Sequence, residues 1–129
     1  MTRRSPALAG LVLLAATLVA ACGAGATPSP EATAEPNSPT IASKDIKFDL
    51  TELDVPAGRP FTLVYVNQES TGHNVAIYTD ASAGTVLFRG DIHEGPATHV
   101  YSVPAIAVGT YYFRCDVHPS MNGTLVAKP

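Results

Sequence analysis

Between residues 41 and 129 no window keeps an apolar residue at every third or fourth position, whereas several keep one at every second position. The first pattern buries a helical stripe and the second a strand face, so this part of the chain is confined to β structure. Ile46, Phe48 and Leu50 alternate with Lys47 and Asp49, and Pro56-Ala57-Gly58 then interrupts the chain ahead of the run FTLVYVN at 61–67. Further β-rich runs at 73–78, 85–88, 98–103, 110–115 and 124–127 are separated by breaks containing Gly, Pro or Asp. Seven or so short strands at this spacing make a sandwich or a barrel. A brief helix has room only around 80–84.

The preceding 40 residues are of a different kind. Behind Arg3 and Arg4, positions 7–21 are Ala, Leu and Val with only Gly10 and Thr17 between them. A membrane-spanning helix needs about 20 apolar residues, so this shorter run is expected to be a signal peptide, 1–21. It closes on Val19-Ala20-Ala21-Cys22, which resembles the lipobox of bacterial lipoproteins and implies acylation of Cys22. An ordinary signal cleaved after Ala21 or Ala24 is the alternative. Residues 23–40 (GAGATPSPEATAEPNSPT) hold no aromatic or large aliphatic side chain, and 22–40 is therefore expected to be a flexible linker ahead of a domain at 41–129. Eighteen such residues reach roughly 25 Å as a coil and up to about 55 Å if extended. The expected location is outside the cytoplasm, with the membrane engaged through the lipid anchor.

Composition closes off other classes. The chain of 129 residues has eight Lys+Arg against eleven Asp+Glu, a formal charge of −3, and the excess of −3 persists in 41–129. Nucleic acid is not expected as a partner. Two cysteines cannot staple a small scaffold. There is no Gly-x-Ser-x-Gly elbow and no Gly-rich phosphate loop, so no enzymatic activity is expected.

What remains is a constellation in YYFRCDVHPSMNGTLV, 111–126. Cys115, His118 and Met121 fall three apart in one tight loop between two expected strands, and His73 opens another strand behind the polar loop 68–72. Singly, each has an ordinary structural use; Cys and Met are frequent core fillers. Together they offer a thiolate, two imidazoles and a soft thioether, a set that favours copper. Pro119, with fixed φ and no N–H, stiffens the loop, and Gly123 permits close approach of another backbone.

By these residues 41–129 resembles the cupredoxins, the blue (type 1) copper family. Cys-x2-His-x2-Met is the short ligand loop seen in the amicyanins, whereas plastocyanins and pseudoazurins have a longer His-to-Met gap. His73-Asn74-Val75 is similar to the family's first-ligand motif. The resemblance implies a Greek-key β-sandwich of about seven to eight strands holding one mononuclear copper ion. It makes His73, Cys115 and His118 the strong ligands and Met121 the weak axial one. It gives Asn74 the role of bonding across to the backbone beside the Cys loop. It further implies a monomeric electron carrier that cycles Cu(II)/Cu(I) between partner proteins, with His118 as its port through an apolar patch; a copper-handling module is the alternative. The binuclear site of cytochrome oxidase subunit II needs two cysteines in its loop, and only Cys115 is present. Asp116, beside the ligand Cys, is expected to face solvent; turned inward it would favour Cu(II). His93 and His99 are expected to be titratable surface residues, with an auxiliary metal site alongside Glu94 or Asp91 as the sharper alternative.

Overall fold

The structure is a computed structural model that describes residues 32–129. The expected signal peptide, the Cys22 lipidation site and the linker up to residue 31 lie outside the described residues. Nine strands form two sheets, and no helix occurs among the described residues. One sheet has the order β2-β1-β4-β7, from β1 (Thr40–Lys44), β2 (Lys47–Phe48), β4 (Phe61–Asn67) and β7 (Ala97–Val103). The other has the order β3-β9-β8-β5-β6, from β3 (Glu52–Pro56), β5 (Ala76–Tyr78), β6 (Val86–Arg89), β8 (Gly109–Arg114) and β9 (Asn122–Lys128). β1 runs parallel to β4, and β3 runs parallel to β9.

β4 shows why these segments are strands. Phe61, Leu63, Tyr65 and Asn67 are buried, and the residues between them are half-buried, as the twofold side-chain period requires of a strand in a sandwich. Its inward residues meet Ile77, Phe113 and Leu125 of the facing sheet in one apolar core. Tyr65 lies parallel to Tyr101 at a ring separation of 5.9 Å, and Phe48 leans on Phe113 at 5.5 Å.

The largest departures from the sequence expectations are local. The alternation at 46–50 is not one strand: Asp45 and Ile46 both adopt positive φ, 52° and 55°, and turn β1 back onto β2. Two left-handed residues are what a two-residue hairpin turn needs to match strand twist. An Ile there is unusual. Its N–H is held by the Glu69 carboxylate at 3.0 Å. The run at 73–78 becomes a strand only from Ala76; His73 forms a separate backbone bridge to His93. At 80–84 there is a turn and no helix, because Asp80 accepts the Ser82 N–H at 2.8 Å and diverts the backbone. Upstream of residue 41, Ser38 bonds Thr62 and the Pro39 carbonyl accepts from Val64, so contacts with β4 begin ahead of β1.

Candidate metal centre

Two arms bring the sequence-predicted donors together. The first leaves β4 at Asn67 and ends at His73. Asn67, buried, donates to the Thr71 carbonyl at 2.8 Å and to the His93 carbonyl at 2.9 Å, and accepts the Glu69 N–H at 3.1 Å. The backbones of His73 and His93 exchange two hydrogen bonds, at 3.1 and 2.9 Å. The second arm is the loop joining β8 to β9. The antiparallel pair closes at Arg114 and Asn122, and inside it the Cys115 N–H donates to the Met121 carbonyl while the Met121 N–H donates to the His118 carbonyl. Gly123 follows directly, where an added Cβ would stand 2.5 Å from the Thr51 carbonyl oxygen and 2.6 Å from the Phe113 ring.

At the meeting point His73 Nδ1 lies 3.7 Å from Cys115 Sγ and 3.1 Å from His118 Nδ1, and His118 Nδ1 lies 4.0 Å from Cys115 Sγ. A triangle with these sides has its centre about 2.1 Å from each corner, within the range of bonds from a first-row metal ion to imidazole nitrogen and thiolate sulfur. His73 and Cys115 are fully buried, Met121 is 2% exposed, and His118 is half-buried beside exposed Val117. The His73 ring points its other nitrogen at the Glu69 carboxylate, 2.8 Å away. A carboxylate accepts and does not donate, so the proton sits on Nε2 and the lone pair of Nδ1 faces the other two donors. The Glu69 carboxyl is held below its usual range, first by the Ile46 N–H and then by His73.

Asn74 spans the two arms. Its Oδ1 accepts the Asp116 N–H at 2.8 Å, and its Nδ2 donates to the Gly90 carbonyl at 3.0 Å and to the Asp116 carboxylate at 3.3 Å. Asp116 does not face solvent as expected. Its side chain, 19% exposed, takes a hydrogen bond from Tyr78 and ion pairs from Arg89 at 2.8 Å and Arg114 at 3.4 Å. Burial pushes its carboxyl upward, but Tyr78, Asn74 and the two guanidiniums outweigh this and hold it below the ordinary value. The carboxylate is drawn into this polar cluster because its partners are there.

His93 and His99 are half-buried at the surface. Their rings stack 3.6 Å apart and within 6° of parallel. Among the described residues the one cluster of three or more His, Cys, Asp or Glu donors is His73, Cys115 and His118, so no auxiliary site forms there. Sequence reasoning missed Glu69; its signal was an acidic residue four positions ahead of a candidate ligand His in a polar loop.

Two imidazole nitrogens and a thiol directed at one point call for a cation between them, and the soft sulfur beside nitrogen selects copper over a hard ion. The donor set fits one mononuclear type 1 copper ion.

Comparison with known proteins agrees. Amicyanin of Paracoccus denitrificans is 29% identical over 126 residues, covering 89% of this chain and 92% of that protein. Amicyanin-alpha of Methylorubrum extorquens is 32% identical over 126 residues, covering 95% and 98%. The fold matches the solved structure of reduced auracyanin from Roseiflexus castenholzii with a TM-score of 0.61 at 21% identity, over 70% of this chain and 95% of that one. Residues 11–127 match the Cupredoxin-like domain family. The chain belongs to the cupredoxins.

Proposed function

We propose that the protein is an extracytoplasmic single-electron carrier, tethered through an acylated Cys22, with copper held by His73 Nδ1, Cys115 Sγ, His118 Nδ1 and, weakly, Met121. Bound there, copper supplies a one-electron Cu(II)/Cu(I) couple. The residues hold the cage still while the charge changes. The observation that carries this reading is the convergence of three donor atoms on one centre from two braced arms. Backbone pairing at both ends of 115–121 and the Glu69 grip on His73 limit rearrangement, which favours fast electron exchange over tight capture and release. Burial of His73, Cys115 and Met121 keeps substrates from the ligands, so the protein acts as a carrier and not as an enzyme. His118, half-buried beside exposed Val117, is the side on which a redox partner exchanges electrons.

The test is to load the full chain with Cu(II) and record its visible and paramagnetic resonance spectra, then cycle it with reductant and oxidant. An intense thiolate-to-copper band that bleaches and returns is expected. A colourless complex whose copper passes readily to chelators would instead make it a copper-handling module.

A further inference from the structure

The outer face of the β8-β5-β6 ribbon carries a cluster that neither the core nor ligation requires. Ala76 in β5 pairs with Arg89 on one side and Arg114 on the other, and Tyr78 shares its face two residues along. Tyr78 is fully buried although it lies outside the core between the sheets. Its cover is the two arginines: the Arg114 guanidinium sits 4.9 Å over the ring, and Arg89 donates to the hydroxyl at 3.1 Å. The hydroxyl in turn donates to Asp116, which both guanidiniums also reach. Two positive charges and one negative are thereby fixed on the residue that follows the buried sulfur donor.

We propose that Asp116, Arg89 and Arg114 form a charge clamp that sets the reduction potential of the site, the carboxylate lowering it and each guanidinium raising it. This rests on the copper reading above. The oxidised site carries one more positive charge than the reduced one, so a nearby anion stabilises the oxidised state and a nearby cation destabilises it. Partial burial of Asp116 and Arg114, 19% and 26% exposed, limits screening, whereas Arg89 at 57% is open to salt. The Asn74 grip on both the N–H and the carboxylate of Asp116 keeps these charges at a fixed place relative to Cys115.

The experiment is a spectroelectrochemical titration of the copper-loaded full chain and four variants, followed on the thiolate band. Asp116→Asn is expected to raise the potential, and Arg89→Gln to lower it, with a smaller shift for Arg89→Gln at high salt. The double variant should return close to the parent. Tyr78→Phe, which changes no charge, should leave the potential in place. Loosening of the loop by lost contacts would not give opposite signs and mutual cancellation. Shifts of the same sign, or none, with the band intact would overturn the clamp and leave the copper reading standing. Absence of the band in the parent would overturn both. Arg89 is exposed enough to be replaced without harm to folding, so its shift decides the matter even if Asp116→Asn does not fold.

Discussion

The two arms that meet at the metal centre are secured by different means. The loop 115–121 is held by its own backbone: strand pairing at Arg114 and Asn122 on the outside, and the Cys115–Met121 and Met121–His118 bonds within. The stretch from Asn67 to His73 is backbone-paired only at its ends, Gln68 to Ser43 and His73 to His93, and is held between them by side chains. Asn67 ties down three backbone groups, Ser43 and Tyr65 stand behind Asn67, and Glu69 fixes the His73 ring. A backbone-closed loop tolerates most replacements outside its donors and Asp116, whereas a side-chain scaffold fails one substitution at a time. Structural sensitivity should therefore concentrate in the arm that carries a single ligand.

The largest effect belongs to a donor in the backbone-closed arm. Cys115→Ser should abolish the thiolate band and reversible reduction completely, while the metal-free variant melts near the parent temperature; visible spectra and thermal unfolding check this. In the other arm a residue that ligates nothing should be costly. Asn67→Ala leaves the Thr71 and His93 carbonyls and the Glu69 N–H without their partner, and should lower the unfolding free energy by about 3 kcal/mol in denaturant melts. Glu69→Ala should weaken copper binding by about 10–100-fold in competition with a chelator, because the His73 ring loses the partner that orients it and fixes its tautomer.

How far the sequence discloses this arrangement depends on the range of the interactions. Cys115, His118 and Met121 are legible because three donors in seven residues have one loop in which to converge, and β4 is legible because its alternation is unbroken. Ile46 misleads: alternation continues through it on paper, yet it lies in a left-handed turn that its own β-branched side chain disfavours, held by Glu69 from another loop. Asp116 misleads for a related reason. A charged residue at a strand end ordinarily meets water, and only the register of β6 and β8 against Ala76 shows that two arginines wait for it. Glu69 has one unremarkable acidic neighbourhood in sequence, and its role appears only once the turn at 68–72 folds back on His73.

A smaller effect sharpens the contrast from the robust side. Asn122, exposed, donates to the Pro119 and Ser120 carbonyls at the tip of the backbone-closed loop. Those carbonyls can turn to water, so Asn122→Ala should cost under about 1 kcal/mol in denaturant melts and leave chelator competition unchanged. A loss as large as that of Asn67→Ala would show that the loop also depends on its side chains.

A last effect reads the side-chain scaffold by pH alone. The Tyr65 hydroxyl bonds Ser43, and the same Ser43 hydroxyl donates to Asn67, so the phenol stands two bonds behind the arm. Burial raises Tyr65 from the ordinary 10.0 to about 12, only partly opposed by the Ser43 hydrogen bond. The folded protein thus keeps a proton that the unfolded chain gives up near pH 10. The stabilisation is whole below that value and is lost as pH rises through about 12. Tyr101, raised still further by burial, adds to the same alkaline fall. Tyr65→Phe removes one share of it: the variant should start slightly less stable at pH 8, for want of the Ser43 bond, and lose less between pH 8 and pH 11 than the parent in paired urea melts. Parallel losses in the two proteins would mean that Tyr65 already ionises freely in the folded state, and that the arm behind His73 does not lean on its proton.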